Sequence, residues 1–254
     1  MFNKILSFFS GKHIAINTQF SKQRILAGDR LEGVVLIKNL SEQETLLKNI
    51  KISLISSFQR PTNVQIEKEN YLIFNALLRD KLVVFGKESC EMPFDFLVPL
   101  NMPALPATAL VKTVVSYAGL QTATDQDELI ILPTLQIQNL FDAFWELGFK
   151  HTPLSGYVEK HAQQPLQIFS MQPIKEPYLG KCKDIEFFFE TTTNGVEIFM
   201  TIDKTIKEFL AVTVENREEN TSKIKFSIAN SETINTILLA HYINSALHLL
   251  AKKR

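Results

Sequence analysis

PTLQIQNLFDAFWELGFK, residues 133–150, decides the fold, because it is the one clear helix pattern in the middle of a chain that otherwise alternates like strands. Ile137, Leu140, Phe141, Phe144 and Leu147 recur at spacings of three and four, the period of one helix face. Thr134 stands where a capping residue belongs, and Gly148 where a left-handed residue ends a helix. The segment therefore predicts a short junction helix over 134–149 between two β-rich domains, 1–133 and 150–254. Phe144 and Trp145 of this helix become candidates for a contact between domains or with a partner.

Upstream, short runs rich in β-branched and aromatic residues follow one another: HIAINTQF, LEGVVLIKNL, NIKISLISSF, KLVVFG, MPFDFLVPL, LVKTVVSYAG and ELIILP. Ile50, Ile52 and Leu54 alternate with Lys51, Ser53 and Ile55, the period-two pattern of a strand with one face on a core. Spacing of this kind suits a β-sandwich.

Downstream come LQIFSM, DIEFFFETTT, GVEIFMTID, EFLAVTVE and KIKFSIA, which read as a second sandwich. Asn194-Gly195 between two apolar runs predicts a tight hairpin turn. Pairing about that turn would set Phe189 against Met200 and Phe187 against Ile202 on a core face, leaving Phe188 and Phe199 as diagonal neighbours on the other. Two large aromatics there need a cover. Either a helix or the other domain covers them, the junction helix being one candidate, or they form an aromatic patch for a protein partner.

The chain closes with SETINTILLAHYINSALHLLAKKR, predicting an amphipathic helix over 231–252 capped by Ser231. Leu238, Leu239, Tyr242, Ile243, Ala246, Leu249 and Leu250 share its apolar face, and Lys252, Lys253 and Arg254 lie at its negative end. Such a helix docks on its own domain, or else offers Leu239, Tyr242, Leu250 and the basic tail to a membrane surface or a partner. MFNKILSFF at the N-terminus is a second candidate anchor.

Composition narrows the classes. Lys plus Arg equal Asp plus Glu at 27 each in 254 residues, and the halves are similarly balanced, which argues against a nucleic-acid partner. Two cysteines, Cys90 and Cys182, form no CxxC pair, and no apolar run has transmembrane length, so the expected home is the cytoplasm. The glycines build no phosphate loop, no serine sits in GxSxG, and His13, His151, His161, His241 and His248 have no metal-ligand spacing. Asp125, Asp127 and Glu128 are dense enough to suggest Ca²⁺ ligands but lack a calcium loop's glycine and closing glutamate, so they read as an acidic turn. Cys182 lies between Lys181 and Lys183, yet no histidine is identifiable as its base. The expectation is a protein that is not an enzyme, with no cofactor and no metal.

Several stretches resemble one family. Gly28 to Val35, GDRLEGVV, is similar to its early Pro-Gly-Glu step into a glycine-containing strand, with Ala27 in place of the proline. TVVSYAGL at 113–120, followed by DQDELIILP, resembles the strand, acidic turn and proline-ended strand that close its first domain. LFDAFWELGF at 140–149 is the most specific likeness, and the Asn194-Gly195 hairpin with its strand ending Ile202-Asp203 also corresponds. By these residues the chain resembles the bacterial sporulation-control SpoOM family of arrestin-like proteins. The resemblance implies an all-β fold of two arrestin-like β-sandwich domains in tandem, with the junction helix and the C-terminal helix. It further implies a non-enzymatic regulatory or adaptor protein that binds other proteins through edges, loops and concave faces. No set of Arg and Asp positions matches the polar core of animal visual arrestins, so phosphate-triggered switching is not carried over. A membrane-surface adaptor, and a small-ligand binder or enzyme in an interdomain cleft, are the alternatives.

Overall fold

The computed structural model describes residues 9–10, 13–61, 66–102, 108–161, 164–180, 182–192, 194–202, 223–229 and 235–251. The chain divides into two compact units, Met1–Ser57 with Glu69–Leu132, and Phe58–Lys68 with Pro133–Arg254.

Among the described residues nine strands run through the first part of the chain: β1 Phe9–Ser10, β2 Ile14–Phe20, β3 Arg24–Leu26, β4 Arg30–Asn39, β5 Thr45–Pro61, β6 Ile66–Val84, β7 Ser89–Leu97, β8 Thr108–Tyr117 and β9 Gln121–Leu132. They form two sheets, ordered β1-β2-β4-β7 and β3-β9-β8-β5-β6. Ile16, Val35, Ile37 and Phe94 of the first share one core with Ile52, Leu54, Val111 and Leu129 of the second. The predicted alternation is present, since Ile50, Ile52 and Leu54 are buried while Lys51 is exposed. Two readings change. The acidic group lies inside β9 rather than in a turn, with Asp125 facing inward and Glu128 outward. The first two-thirds of β6, absent from the predicted runs, is strand because Phe74, Ala76 and Leu78 pack on the core.

After Pro133 come α1 Leu135–Glu146, β10 Phe149–His151, β11 Tyr157–His161, β12 Gln164–Pro173, β13 Ile185–Thr192, β14 Gly195–Ile202, β15 Lys223–Ala229 and α2 Thr236–Ala251. Thr134 occupies the N-cap position of α1, but its side chain makes no capping bond. Gly148, at φ +83°, ends the helix as predicted, and its amide donates to the Trp145 carbonyl at 2.9 Å. One sheet runs β10-β12-β13-β14-β15, with β11 paired to β12. Among the described residues both helices lie against one face of it, where the sequence suggested a second sheet. Ile137, Leu140 and Phe144 of α1 and Leu239, Ile243 and Leu247 of α2 share a core with Phe169, Phe187 and Met200. EFLAVTVE, at 208–215, lies outside the described residues.

The hairpin register also differs from the expected one. Thr192 pairs with Gly195, so Phe187 meets Met200, Phe189 meets Ile198, and Phe188 and Phe199 are directly opposite rather than diagonal. Thr192 sets this turn, its Oγ1 accepting from the Asn194 amide at 3.2 Å and donating to the Gly195 carbonyl at 3.1 Å. Glycine at 195 serves the next strand instead. A Cβ there would lie 2.1 Å from the Ile228 carbonyl oxygen of β15.

Candidate interaction surfaces

At one end of the first unit the loop after β4 and the β8–β9 turn border an open groove of about 900 Å³. Its wall is built around Asn39, a buried amide at the end of β4. Asn39 Nδ2 donates to the carbonyls of Gln43 at 2.8 Å and Val84 at 3.0 Å, while its Oδ1 accepts from the Ser41 amide at 3.0 Å. Lys87, at φ +64°, braces the same loop, its Nζ 2.9 Å from the Leu40 carbonyl and 3.0 Å from Glu42 Oε1. Opposite, Ala118 at φ +42° and Gly119 at φ +79° form the β8–β9 turn. That conformation pushes Leu120 wholly into solvent. His13, Glu44, Lys48 and Tyr117 complete a lining of mixed polarity. Loops held by such side-chain bonds keep their shape without a partner, which lowers the entropic cost of binding one. Sequence reasoning singled out none of these residues as an interaction surface; the polar SEQET and SYAGLQT segments were the available signal.

In the second unit the predicted aromatic residues separate. Phe144 is fully buried and stacks on Phe187, ring centroids 4.9 Å apart, so it is a core residue of its own unit. Trp145, the next residue round α1, is 62% exposed. Phe188 and Phe199 stack face to face at 4.6 Å. They lie on the sheet face away from the helices, covered by Tyr157 of β11 and Ile168 of β12. The junction helix therefore does not cover them, because residues 187 and 188 of a strand point to opposite faces. Lys225 of β15 adds a cation 5.0 Å from the Phe199 ring and bonds Glu197 at 3.1 Å. The phenol of Tyr157 is held well above its usual range by burial first, and then by Glu186 and Glu159.

Helix α2 begins later than predicted. Asn235 caps it, Oδ1 accepting from the Leu238 amide at 2.9 Å. Leu239 is buried with Ile243 and Leu247, and the Tyr178 hydroxyl bonds Asn244, which fasten the helix to its own unit. Ile237, Leu238 and Tyr242 face outward, the last 51% exposed. Ser231, the Leu250 side chain, Lys252, Lys253 and Arg254 lie outside the described residues, as does most of MFNKILSFF. Among the described residues no helix is long and apolar enough to cross a membrane, and no cluster of metal-binding side chains forms.

One pair was not foreseen. The Ser170 amide donates to Ser155 Oγ at 3.0 Å, and the Ser155 hydroxyl lies 2.7 Å from His151 Nδ1. Burial lowers the His151 pKa, and its ring meets Phe141 edge-on. The hydroxyl can donate to Nδ1 or accept from it according to the imidazole tautomer, and in either form the pair braces the turn between β10 and β11. Cys90 and Cys182 are both thiols outside any disulfide, and burial raises the Cys90 pKa, away from the reactive thiolate. Cys182 lies just ahead of β13.

Residues 2–206 match the family model described as SpoOM protein. The chain belongs to the SpoOM family. The crystal structure of Spo0M, a sporulation control protein from Bacillus subtilis, superposes with a TM-score of 0.81 at 18% identity, covering 94% of this chain and 99% of that one. At that identity the likeness speaks for the fold. The cupredoxin domain of amoB from Nitrosocaldus yellowstonii aligns over 49% of this SpoOM chain and 90% of its own, at 12% identity and a TM-score of 0.29, too low to argue from. Among curated proteins none matches this sequence.

Proposed function

We propose that this SpoOM protein is a cytoplasmic, non-enzymatic adaptor built of two arrestin-like units in tandem, and that it acts by binding another protein. The observation that carries the reading is the groove of the first unit. It is wide and open, its loops are held by Asn39 and Lys87, and Leu120 projects from its rim with no contact of its own to lose. An exposed leucine beside polar loops suits an extended protein surface better than an enclosed small-molecule pocket. Photo-crosslinking in the native host tests it. A crosslinker at Leu120 should capture a discrete protein that one at Thr124, on the outward side of β9, does not. Identical adducts from both positions, or turnover of a metabolite by the purified protein, would overturn the reading.

A second reading follows from α2, where Ile237, Leu238 and Tyr242 face solvent on its first turns and the sequence after its last turn is basic. Such a face suits the interface of an anionic membrane. Flotation with anionic vesicles should then depend on Ile237 and Tyr242, and equal flotation of an Ile237→Ser, Tyr242→Ser variant would remove this reading.

A further inference from the structure

The groove of the first unit is lined by charges that the protein itself leaves open. Glu42 is answered by Lys87 at 3.0 Å. Glu44 and Lys48, which also line the groove, form no ion pair among the described residues. Leu46 stands between them, 43% exposed. Leu47 turns into the core, so Leu46 and Lys48 share the other face of β5, about 6.5–7 Å apart along the strand. Beyond Lys48 the register with β8 shifts and Asn49 stands at φ +50°, so the row ends there. The result is a short row in the order carboxylate, leucine, ammonium, with Leu120 on the opposite rim.

Two further observations mark the row as a binding surface. Tyr117 lines the groove and is only 3% exposed, yet its hydroxyl has no hydrogen-bond partner among the described residues. A phenol held so firmly is placed to bond a backbone group brought in from outside. Asn49 and Ala118 line the groove and Lys87 braces it, and among the described residues these three alone, glycines apart, have positive φ. Strained backbone of this kind gathers at ligand clamps. We propose that the groove takes an extended segment of a partner protein in which a basic and an acidic side chain flank an apolar one at alternate positions. The basic side chain meets Glu44, the apolar one lies between Leu46 and Leu120, and the acidic one meets Lys48. An extended chain repeats its same-face side chains at the spacing of the row, whereas a helix does not. That charge order rests on the groove being a protein site, and it states what the site selects.

The probes are four fluorescein-labelled peptides, identical but for a central Arg-Thr-Leu-Thr-Glu, Glu-Thr-Leu-Thr-Arg, Arg-Thr-Leu-Thr-Arg or Glu-Thr-Leu-Thr-Glu. Each is titrated with the full-length protein at low salt and read by fluorescence anisotropy, with circular dichroism confirming that every variant is folded. Wild type should bind one mixed-charge peptide about tenfold better than the reverse order, as when two exposed ion pairs replace two like-charge contacts, with the like-charge peptides in between. E44K/K48E should reverse that preference, and Leu120→Asp should weaken both mixed-charge peptides. No binding, equal binding of the two orders, a like-charge peptide that binds best, or an unreversed preference in E44K/K48E would overturn the proposal. If a crosslinker at Leu120 still captures a discrete protein alongside any of those results, the groove stays a protein site and only the charge order falls. Loss of the capture as well removes both.

Discussion

At Asp125 a charged residue occupies a position that the alternation of β9 assigns to the core. Its carboxylate accepts the Thr18 backbone amide of β2, and Thr18 Oγ1 lies 2.7 Å from Thr113 Oγ1 of β8, so a small polar network ties the two sheets together. Burial is the main reason its pKa is raised, with Asp127 adding to it and the bonds from Thr18 opposing it. A carboxyl group with a raised folded pKa binds more protons folded than unfolded, so its contribution to stability is full in acid. That contribution is lost as pH rises from the ordinary carboxylate value of about 4 through the raised one. Asp125→Asn keeps an acceptor for the Thr18 amide and removes the titration. Urea unfolding across that window should show the wild type losing stability relative to the variant as pH rises; parallel curves would contradict the account. Gly195 offers a second test at this scale. Gly195→Ala places a methyl against the Ile228 carbonyl, and overpacking of this kind costs about 1–3 kcal/mol, read as a lower urea midpoint.

Among the elements, α1 was legible because its apolar residues repeat at helical spacing and a glycine ends it. The same spacing could not say what the helix would cover. Phe187 and Phe188 are neighbours in sequence and equally apolar, and only the placement of β11 and the two helices decides which of them faces α1. The hairpin misled for a similar reason. Asn194-Gly195 is the usual signal of a two-residue turn, but the close approach of β15 requires glycine at 195 independently of the turn. Strand β6 escaped because YLIFNALL is apolar on both faces and shows neither period clearly. Within α1 the two adjacent aromatics should separate sharply. Phe144→Ala should cost about 3–5 kcal/mol of unfolding free energy, as for a large buried aromatic. Trp145→Ala should stay within about 0.5 kcal/mol, as at an exposed site away from packing. Similar losses at both positions would mean that the helix faces are wrongly assigned.

At the level of the whole molecule, β-richness was readable from strand runs and turn residues, and the SpoOM family from LFDAFWELGF and the segments around it. The candidate surface was not. Apart from His13 its residues come from the segments 41–49 and 116–122, whose polar composition is that of ordinary turns. Only folding brings those turns to the same end of the first unit and leaves Leu120 without cover. The most direct measurement is the affinity of the purified protein for the partner captured from Leu120, compared between wild type and Leu120→Asp. Because Leu120 is wholly exposed, the variant should keep the wild-type unfolding midpoint while its Kd rises at least about tenfold, equivalent to about 1.4 kcal/mol. An unchanged Kd in a folded Leu120→Asp protein would contradict the account.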